Sequence, residues 1–316
     1  MQPAQRITSA ALLVCTYRRP QTFARLMESV AALTIPPGLS FEIVIADNNP
    51  ESAFETYVSP ATSGLPWPVH YGHEPVAGYS SARNRALAVA LAETRAEAFL
   101  FTDDDMILDP GWLAGHVRSL DELAADVVNG RIHGVRERFP HGAALEKCGA
   151  GNVSFRRHVV DPAGLGLRFD PAYNTLGMED QAFFREASAR GARIRQSDWP
   201  LLFNYYGEGP VPEAEVVNKM RTTATMQQNE VALARRERGF LPAAVLASKG
   251  VVFGLKGLGL MAETRVWTLL GKTEKARKSA LSCEKELLKM RGRFAGLSGE
   301  LVSRQDVRRS DPAAGE

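Results

Sequence analysis

The order of apolar segments predicts an α/β fold: a mostly parallel sheet flanked by helices, with a helical appendage at the C-terminal end. Three observations carry this expectation. Residues 10–16, 41–46 and 98–102 are apolar runs of strand length, the pattern of strands buried on both faces. Segments with helical periodicity separate the runs, and such alternation implies parallel strands joined by crossover helices. Beyond Arg235 the chain turns into Lys/Arg-rich helical segments with scattered glycines.

The first strand, 10–16, leads into Thr16-Tyr17-Arg18-Arg19-Pro20. Phe23, Leu26, Met27, Val30 and Leu33 then recur at helical spacing. Pro20 suits the first turn of that helix, where its missing N–H would have no partner anyway. The second strand, 41–46, ends in the turn signal Asp47-Asn48-Asn49-Pro50. A Pro/Gly/Ser-rich stretch leads to a short strand near Val69-His70-Tyr71, and the Ala-rich segment 80–94 reads as a helix. After the strand 98–102 come a helix near Gly111-Trp112-Leu113 and shorter strands at 126–131 and 151–155. A helix at 179–190 is closed by Gly191.

The 316 residues are 45% hydrophobic and 23% charged, the composition of a soluble globular protein with a substantial core. Three widely spaced cysteines, Cys15, Cys148 and Cys283, offer neither a disulfide framework nor zinc-ligand spacing, which fits a reducing compartment. Residues 1–9 are polar and lead straight into a strand, so no secretory signal is expected and the expected location is cytoplasmic. The net charge of +2 hides an asymmetry. Residues 1–234 carry 21 Lys/Arg against 27 Asp/Glu, a net of −6, and residues 235–316 carry 17 against 9, a net of +8. An acidic front half argues against nucleic acid as a partner.

The strand 98–102 ends in three consecutive aspartates, Asp103, Asp104 and Asp105. Clustered carboxylates at the carboxyl edge of a sheet lie where open α/β folds bind ligands. Like charges this close repel unless a cation is shared among them. A divalent ion, Mn²⁺ or Mg²⁺, takes carboxylate oxygen and leaves positions for phosphate. The plain alternative is a solvated acidic turn capping the next helix.

Several motifs in order resemble a family 2 glycosyltransferase with the GT-A fold, a Rossmann-type architecture. Val14-Cys15-Thr16-Tyr17-Arg18-Arg19, Asp47-Asn48, Gly78 with Ala82-Arg83-Asn84, and Thr102-Asp103-Asp104-Asp105 resemble its nucleotide-sugar donor half. Residues 149–157 and Gly177-Met178-Glu179-Asp180 resemble its acceptor half. On this reading residues 1–234 form the catalytic domain, about 1–110 the donor half and about 111–234 the acceptor half, and 235–316 the basic helical appendage.

The resemblance implies an inverting enzyme that moves a sugar from a UDP, GDP or dTDP donor to a hydroxyl acceptor in cell-surface polysaccharide or glycolipid synthesis. Thr16, Tyr17 and Arg18 would belong to the donor pocket with Asp47, which would accept a hydrogen bond from a nucleobase ring N–H. Arg83 and Asn84 would lie near the base or diphosphate. Asp103 and Asp105 would be the ends of a DxD motif. Asp105 would bind the metal directly, and Asp103 or Asp104 would reach the ribose or a metal-bound water. Asp180 would be the catalytic base, its charge favoured at a helix start, with Glu179 on an acceptor hydroxyl.

Each motif alone also has a plain structural reading: an N-capping threonine, an Asx turn, solvated arginines on a helix, first-turn acids, a tight glycine turn. Two functional rivals remain. A nucleotidyltransferase also uses clustered Asp and a divalent ion, but this chain has no Gly-rich phosphate loop after the first strand. A non-catalytic nucleotide-sugar-binding module would have no need of Asp180. One departure from the family pattern concerns the metal. Related folds often add a histidine ligand after the catalytic acid, and none of His70, His73, His116, His133, His141 and His158 follows Asp180. Either the diphosphate and water complete the metal's shell, or Glu208 of the segment 204–210 contributes, or a tyrosine there contacts the phosphate instead.

Residues 241–262 are apolar enough to suggest a membrane span, but Lys249 and Lys256 lie within, seven residues apart and so on one helical face. Charge at mid-bilayer is costly, so a helix in the membrane interface is the expectation. Residues 272–293 form a second basic amphipathic stretch. The expected partner of 241–293 is a membrane surface, at the cytoplasmic face of the inner membrane, with a lipid-linked acceptor. Packing on the rest of the chain or on a second subunit is the alternative.

Overall fold

The computed structural model describes residues 6–135, 139–204 and 213–303. These form two compact units. The first comprises Met1–Asn174 with Glu179–Gly209, and the second Thr175–Met178 with Pro210–Glu316. The change of character along the sequence predicts a boundary at 234. The compact units divide earlier because the long helix 213–238 packs with the helices that follow it.

In the first unit, β1 (Ser9–Thr16), α1 (Pro20–Ala31), β2 (Ser40–Asp47), a single turn α2 (Ser59–Thr62), β3 (Val69–His73), α3 (Tyr79–Glu93) and β4 (Ala98–Asp103) follow in order. The strands lie as β3-β2-β1-β4, all parallel. The predicted elements of this half appear within a residue or two of their expected places. Alternation along the strands explains the apolar runs. Ala11, Leu13, Val44, Phe99 and Phe101 face one core, while Ala10, Leu12, Val14, Ile43, Ile45 and Leu100 face the other.

The second half adds β5 (Met106–Leu108), α4 (Trp112–Glu122), β6 (Val127–Ile132), β7 (Ala144–Leu145), β8 (Asn152–Arg156), α5 (Glu179–Ala189) and β9 (Ile194–Asn204). The sheet continues from β4 through β8, β6 and β9 to β5, and β7 pairs with β9. Pairing here is mixed: β8 runs antiparallel to both β4 and β6, and β9 runs parallel to β6 but antiparallel to β5. Gly191 ends α5 with φ +93°, and the Ala192 N–H returns to the Ala187 carbonyl, as its position at the helix end predicts.

Sequence patterning does not reveal β9. Its pairing with β6 jumps from Asn129–Gln196 to Arg131–Leu201, so 197–200 bulge out of register. Ser197, Asp198 and Pro200 lie in that bulge and break any apolar run.

The second unit contains α6 (Glu213–Arg238), α7 (Phe240–Leu269) and α8 (Thr273–Ala295). The core of this unit holds Val231, Ala234, Ala243 and Ala247. Buried Asn229 donates to the carbonyls of Leu176 and Val302 and accepts the Val302 N–H, tying the segment's ends together. Within α7, Ala243–Leu269 is long and apolar enough to cross a membrane. Cys15, Cys148 and Cys283 are free thiols.

Candidate active site

Parallel pairing brings three strand ends level: Thr16 lies opposite Asp47, and Cys15 opposite Asp103. The turns that follow β1, β2 and β4 therefore meet at one edge of the sheet, where such folds gather ligands.

At the β1–β2 end a polar network is already complete. Asp47 is fully buried, and its two carboxylate oxygens accept from the Asn49 N–H at 3.0 Å, the Asn49 amide at 2.6 Å, the Ala53 N–H at 2.6 Å and the Tyr71 hydroxyl at 2.6 Å. Burial raises its pKa, but the Tyr71 hydroxyl and the Asn49 and Ala53 donors outweigh this and hold it below the ordinary carboxylate range. The expected contact of Asp47 with a nucleobase N–H thus finds the carboxylate saturated by internal donors. Its work in this structure is to shape the turn. Asn49 also donates to the Tyr57 hydroxyl at 2.8 Å, and that hydroxyl lies 3.1 Å from Thr16 Oγ1. Asn48 spans the turn, donating to the Glu74 and Val76 carbonyls and accepting the Gly78 N–H.

Above this network Tyr17 and Arg18 are exposed, the Arg18 guanidinium 5.3 Å from the Tyr17 ring centre. Arg18 adopts φ +53°, with its N–H bonded to Asn49 Oδ1 at 2.9 Å. This left-handed residue turns the chain so that Arg19, not Arg18, reaches the acids. Arg19 Nη1 lies 2.8 Å from Asp104 Oδ1 and 2.8 Å from Asp105 Oδ2. Arg19 has no assigned role in the sequence reading; the signal was its place just before Pro20, at the helix start.

The three aspartates differ in setting. Asp104 is buried, and burial pushes its carboxyl up to about 6 against the pull of Arg19, with the Asp105 charge adding to the rise. Asp103 is raised as well, first by desolvation and then by the Asp105 and Asp180 charges, against Arg83. Its side chain still exposes 44% of its surface, so it remains open to a ligand.

Arg83, on the first turns of α3, joins the two acidic groups. Its guanidinium pairs with Glu179 through Nη1 and lies 3.5 Å from Asp103 Oδ1 through Nη2, over the Phe169 ring at 5.7 Å. Glu179, Asp103 and Asp180 together hold it charged despite its burial. Asn84, expected in the donor pocket, spends both ends of its amide on the Phe169 backbone, at 2.7 and 2.8 Å. It fixes the loop on which Arg83 rests.

The neighbours Glu179 and Asp180 separate in role. Glu179, expected near an acceptor hydroxyl, is buried and engaged with Arg83. Asp180 is half-buried and held by the Ala150 N–H at 3.2 Å and the Gln181 N–H at 2.6 Å. Between Asp180 and Asp103 runs Gly149-Ala150-Gly151. A Cβ at Gly149 would lie 3.4 Å from Asp180 Oδ2, and one at Gly151 would lie 2.8 Å from Asp103 Oδ2. The glycines leave room where the two acids face the same space.

Asp103 and Asp105 offer the hard oxygen donors that Mn²⁺ or Mg²⁺ prefers, and Gly151 keeps open the space beside Asp103 that a side chain would fill. Their donor chemistry suits a divalent ion, while Arg19 and Arg83 each pair with one of the two carboxylates. Among the described residues no group of three or more His, Cys, Asp or Glu side chains is gathered as a ligand set. Glu208, Tyr205 and Tyr206, named as further contacts, lie outside the described residues.

A curled α/β sheet with an acid cleft at its carboxyl edge defines a GT-A glycosyltransferase fold. Residues 11–155 match the family model Glycosyl transferase family 2. The chain is 29% identical over 216 residues to the succinoglycan biosynthesis protein ExoM of Rhizobium meliloti (strain 1021), an alignment covering 63% of this chain. That alignment covers 66% of the relative, just under two thirds of its length. The fold is similar to mannosyltransferase PcManGT from Pyrobaculum calidifontis, solved with GDP-Man and Mn²⁺ (TM-score 0.62, 16% identity, 92% of this chain and 88% of that one). It is also similar to residues 1–349 of S. aureus TarS (TM-score 0.50, 17% identity, 89% and 90%).

Proposed function

We propose that this chain is an inverting glycosyltransferase that moves a sugar from a nucleoside diphosphate to a hydroxyl of a growing surface polysaccharide or glycolipid. The observation that carries the reading is Arg83, bonded at once to the acid end of β4 and to the first residue of α5. It supports a single cleft in which a donor phosphate and an acceptor hydroxyl lie side by side.

Asp180 is the group best suited to take the acceptor proton. It is accessible, two backbone N–H groups fix its direction, and it stands at a helix start that favours its charge. As the acceptor oxygen bonds to the anomeric carbon, the bond from that carbon to the phosphate oxygen breaks and the nucleoside diphosphate departs with the electron pair. Asp103 and Asp105 would hold a divalent ion together with the diphosphate. When bound, the ion neutralises charge growing on the leaving group. Arg83 keeps Glu179 neutralised and Asp103 in place. Thr16, Tyr17 and the turn built on Asp47 form the donor side. The Mn²⁺ and GDP-Man held by PcManGT, and the ExoM similarity, support the metal, donor and polysaccharide parts of this reading.

A panel of UDP-, GDP- and dTDP-sugars with Mn²⁺ tests it. One donor class should bind and release its nucleoside diphosphate. Asp180→Asn should retain donor binding while turnover falls about 10²–10⁴-fold, and the product anomer read by NMR should be inverted. Undiminished turnover in the variant would remove Asp180 as base. Release of pyrophosphate from a nucleoside triphosphate would favour the nucleotidyltransferase, and binding without turnover in the wild type the binding module.

A further inference from the structure

We infer that the outer face of α7 is a docking surface for an anionic lipid bilayer, on which the helix lies flat without crossing. This rests on the second unit alone and is independent of the catalytic reading. α7 has two faces of different composition. Ala243, Ala247, Gly250, Gly254 and Gly257 recur every three or four residues, and all are buried. A Cβ at Gly254 would lie 2.7 Å from Met290 Sδ, and one at Gly257 would lie 2.9 Å from a Leu287 methyl. Small residues thus bring α8 against α7 along most of its length.

The opposite face is largely apolar, and among the described residues of this unit it is exposed. Leu241, Val245, Val252, Leu255, Leu258, Val266 and Leu269 are exposed, Leu255 at 65% and Leu269 at 87%. Ser248 and Glu263 are also exposed on this face, Glu263 near its C-terminal end, and the apolar surface between and around them marks an interaction site. Its flanks name the partner. Lys249 and Lys256, one helical turn-pair apart, lie exposed on one edge and form no ion pair with the described residues. On the α8 side, Arg265 and Arg291 line a cavity of about 370 Å³ with Met261, Leu287 and one acid, Glu284. An apolar stripe flanked by two lysines on one edge and by two arginines against one acid on the other matches acyl chains below a layer of anionic headgroups. A protein partner or a second copy is the outcome that light scattering would detect.

The same packing argues against spanning. To cross a bilayer, α7 would have to carry α8 with it or break the glycine seam. α8 exposes Lys275, Arg277, Lys278, Lys285 and Arg291, charges that are costly inside hydrocarbon.

Flotation of the full-length chain with phosphatidylcholine vesicles, with and without phosphatidylglycerol, tests the inference. The wild type should float with the anionic vesicles, be released by high salt or alkaline carbonate, and bind neutral vesicles weakly. Val252→Glu with Leu255→Glu should lower flotation at least about tenfold, and Lys249→Glu with Lys256→Glu about fivefold or more for each lysine. An unchanged circular-dichroism melt would show that the variants fold. Four results would overturn the inference: equal flotation of wild type and variants, no flotation on any vesicle, resistance to carbonate extraction, or a dimer in light scattering that Val252→Glu with Leu255→Glu dissociates while lipid binding is absent.

Discussion

Two arginines organise the acid cleft at the residue scale. Arg19 balances Asp104 and Asp105, and Arg83 balances Glu179 and Asp103, so five carboxylates, Asp180 included, share a small volume with two fixed cations. Asp104 sets a pH dependence whose sign can be worked out. Its folded pKa of about 6 lies above an unfolded value of roughly 3.9, so the folded state holds an extra proton between those limits. The cost of its charge is fully present above about pH 6 and is relieved as pH falls toward 4. Asp104→Asn removes this contribution. Thermal melts should therefore show the wild type gaining on the variant between pH 7 and 4, by up to about 3 kcal/mol. No gain would mean that Arg19 compensates the buried charge fully. Asp47, with its pKa lowered, stabilises above the ordinary carboxylate range and loses that effect only as pH falls below it.

The element that matters most to the site is β8 with the glycine turn before it. Gly151→Ala would set a methyl group 2.8 Å from Asp103 Oδ2, displacing a flexible carboxylate more easily than the sheet. The expected result is a Tm close to wild type with donor turnover reduced about tenfold or more, since a misplacement of about 1 Å can cost up to 10²-fold. Asn152 opens β8 and fastens it to three neighbours. Its Oδ1 accepts the Trp112 indole N–H at 2.7 Å and lies 2.9 Å from His116 Nε2, and its amide donates to the Arg131 and Pro200 carbonyls. Because Oδ1 only accepts, His116 carries its proton on Nε2. Burial pushes the His116 pKa down to about 3, so the ring stays neutral. Asn152→Ala strands buried donors on α4 and should cost about 3–5 kcal/mol in urea unfolding. A loss below 1 kcal/mol would show that water replaces the amide.

For the whole molecule, the cleft should couple metal to nucleotide. In the proposed metal role Asp103 and Asp105 would supply only part of a coordination shell, so Mn²⁺ alone should raise Tm little, and Mn²⁺ with the nucleoside diphosphate of the true donor should raise it clearly. Ligand at 100 times its dissociation constant stabilises by about 2.7 kcal/mol. Differential scanning fluorimetry of Asp105→Asn should show the joint effect lost while nucleotide alone still binds weakly. An unchanged joint shift would remove Asp105 from the metal site.

Much of the first unit was legible in the chain alone, because strands buried on both faces leave unbroken apolar runs and crossover helices leave periodic ones. The acid cluster after residue 102 and the acids at 179–180 stood out for the same reason: charge bordering an apolar segment is conspicuous. The α7 segment announced its apolarity, but only packing against α8 separated a glycine seam from an exposed stripe. The division of labour inside the cleft belongs to the tertiary structure. Adjacent residues look equivalent in a sequence, yet Arg18 points outward while Arg19 grips Asp104 and Asp105. Glu179 is consumed by Arg83 while Asp180 stays open, and Asp47 and Asn84 turn inward to brace loops. Backbone direction and long-range partners make those choices, and neither is written in local composition.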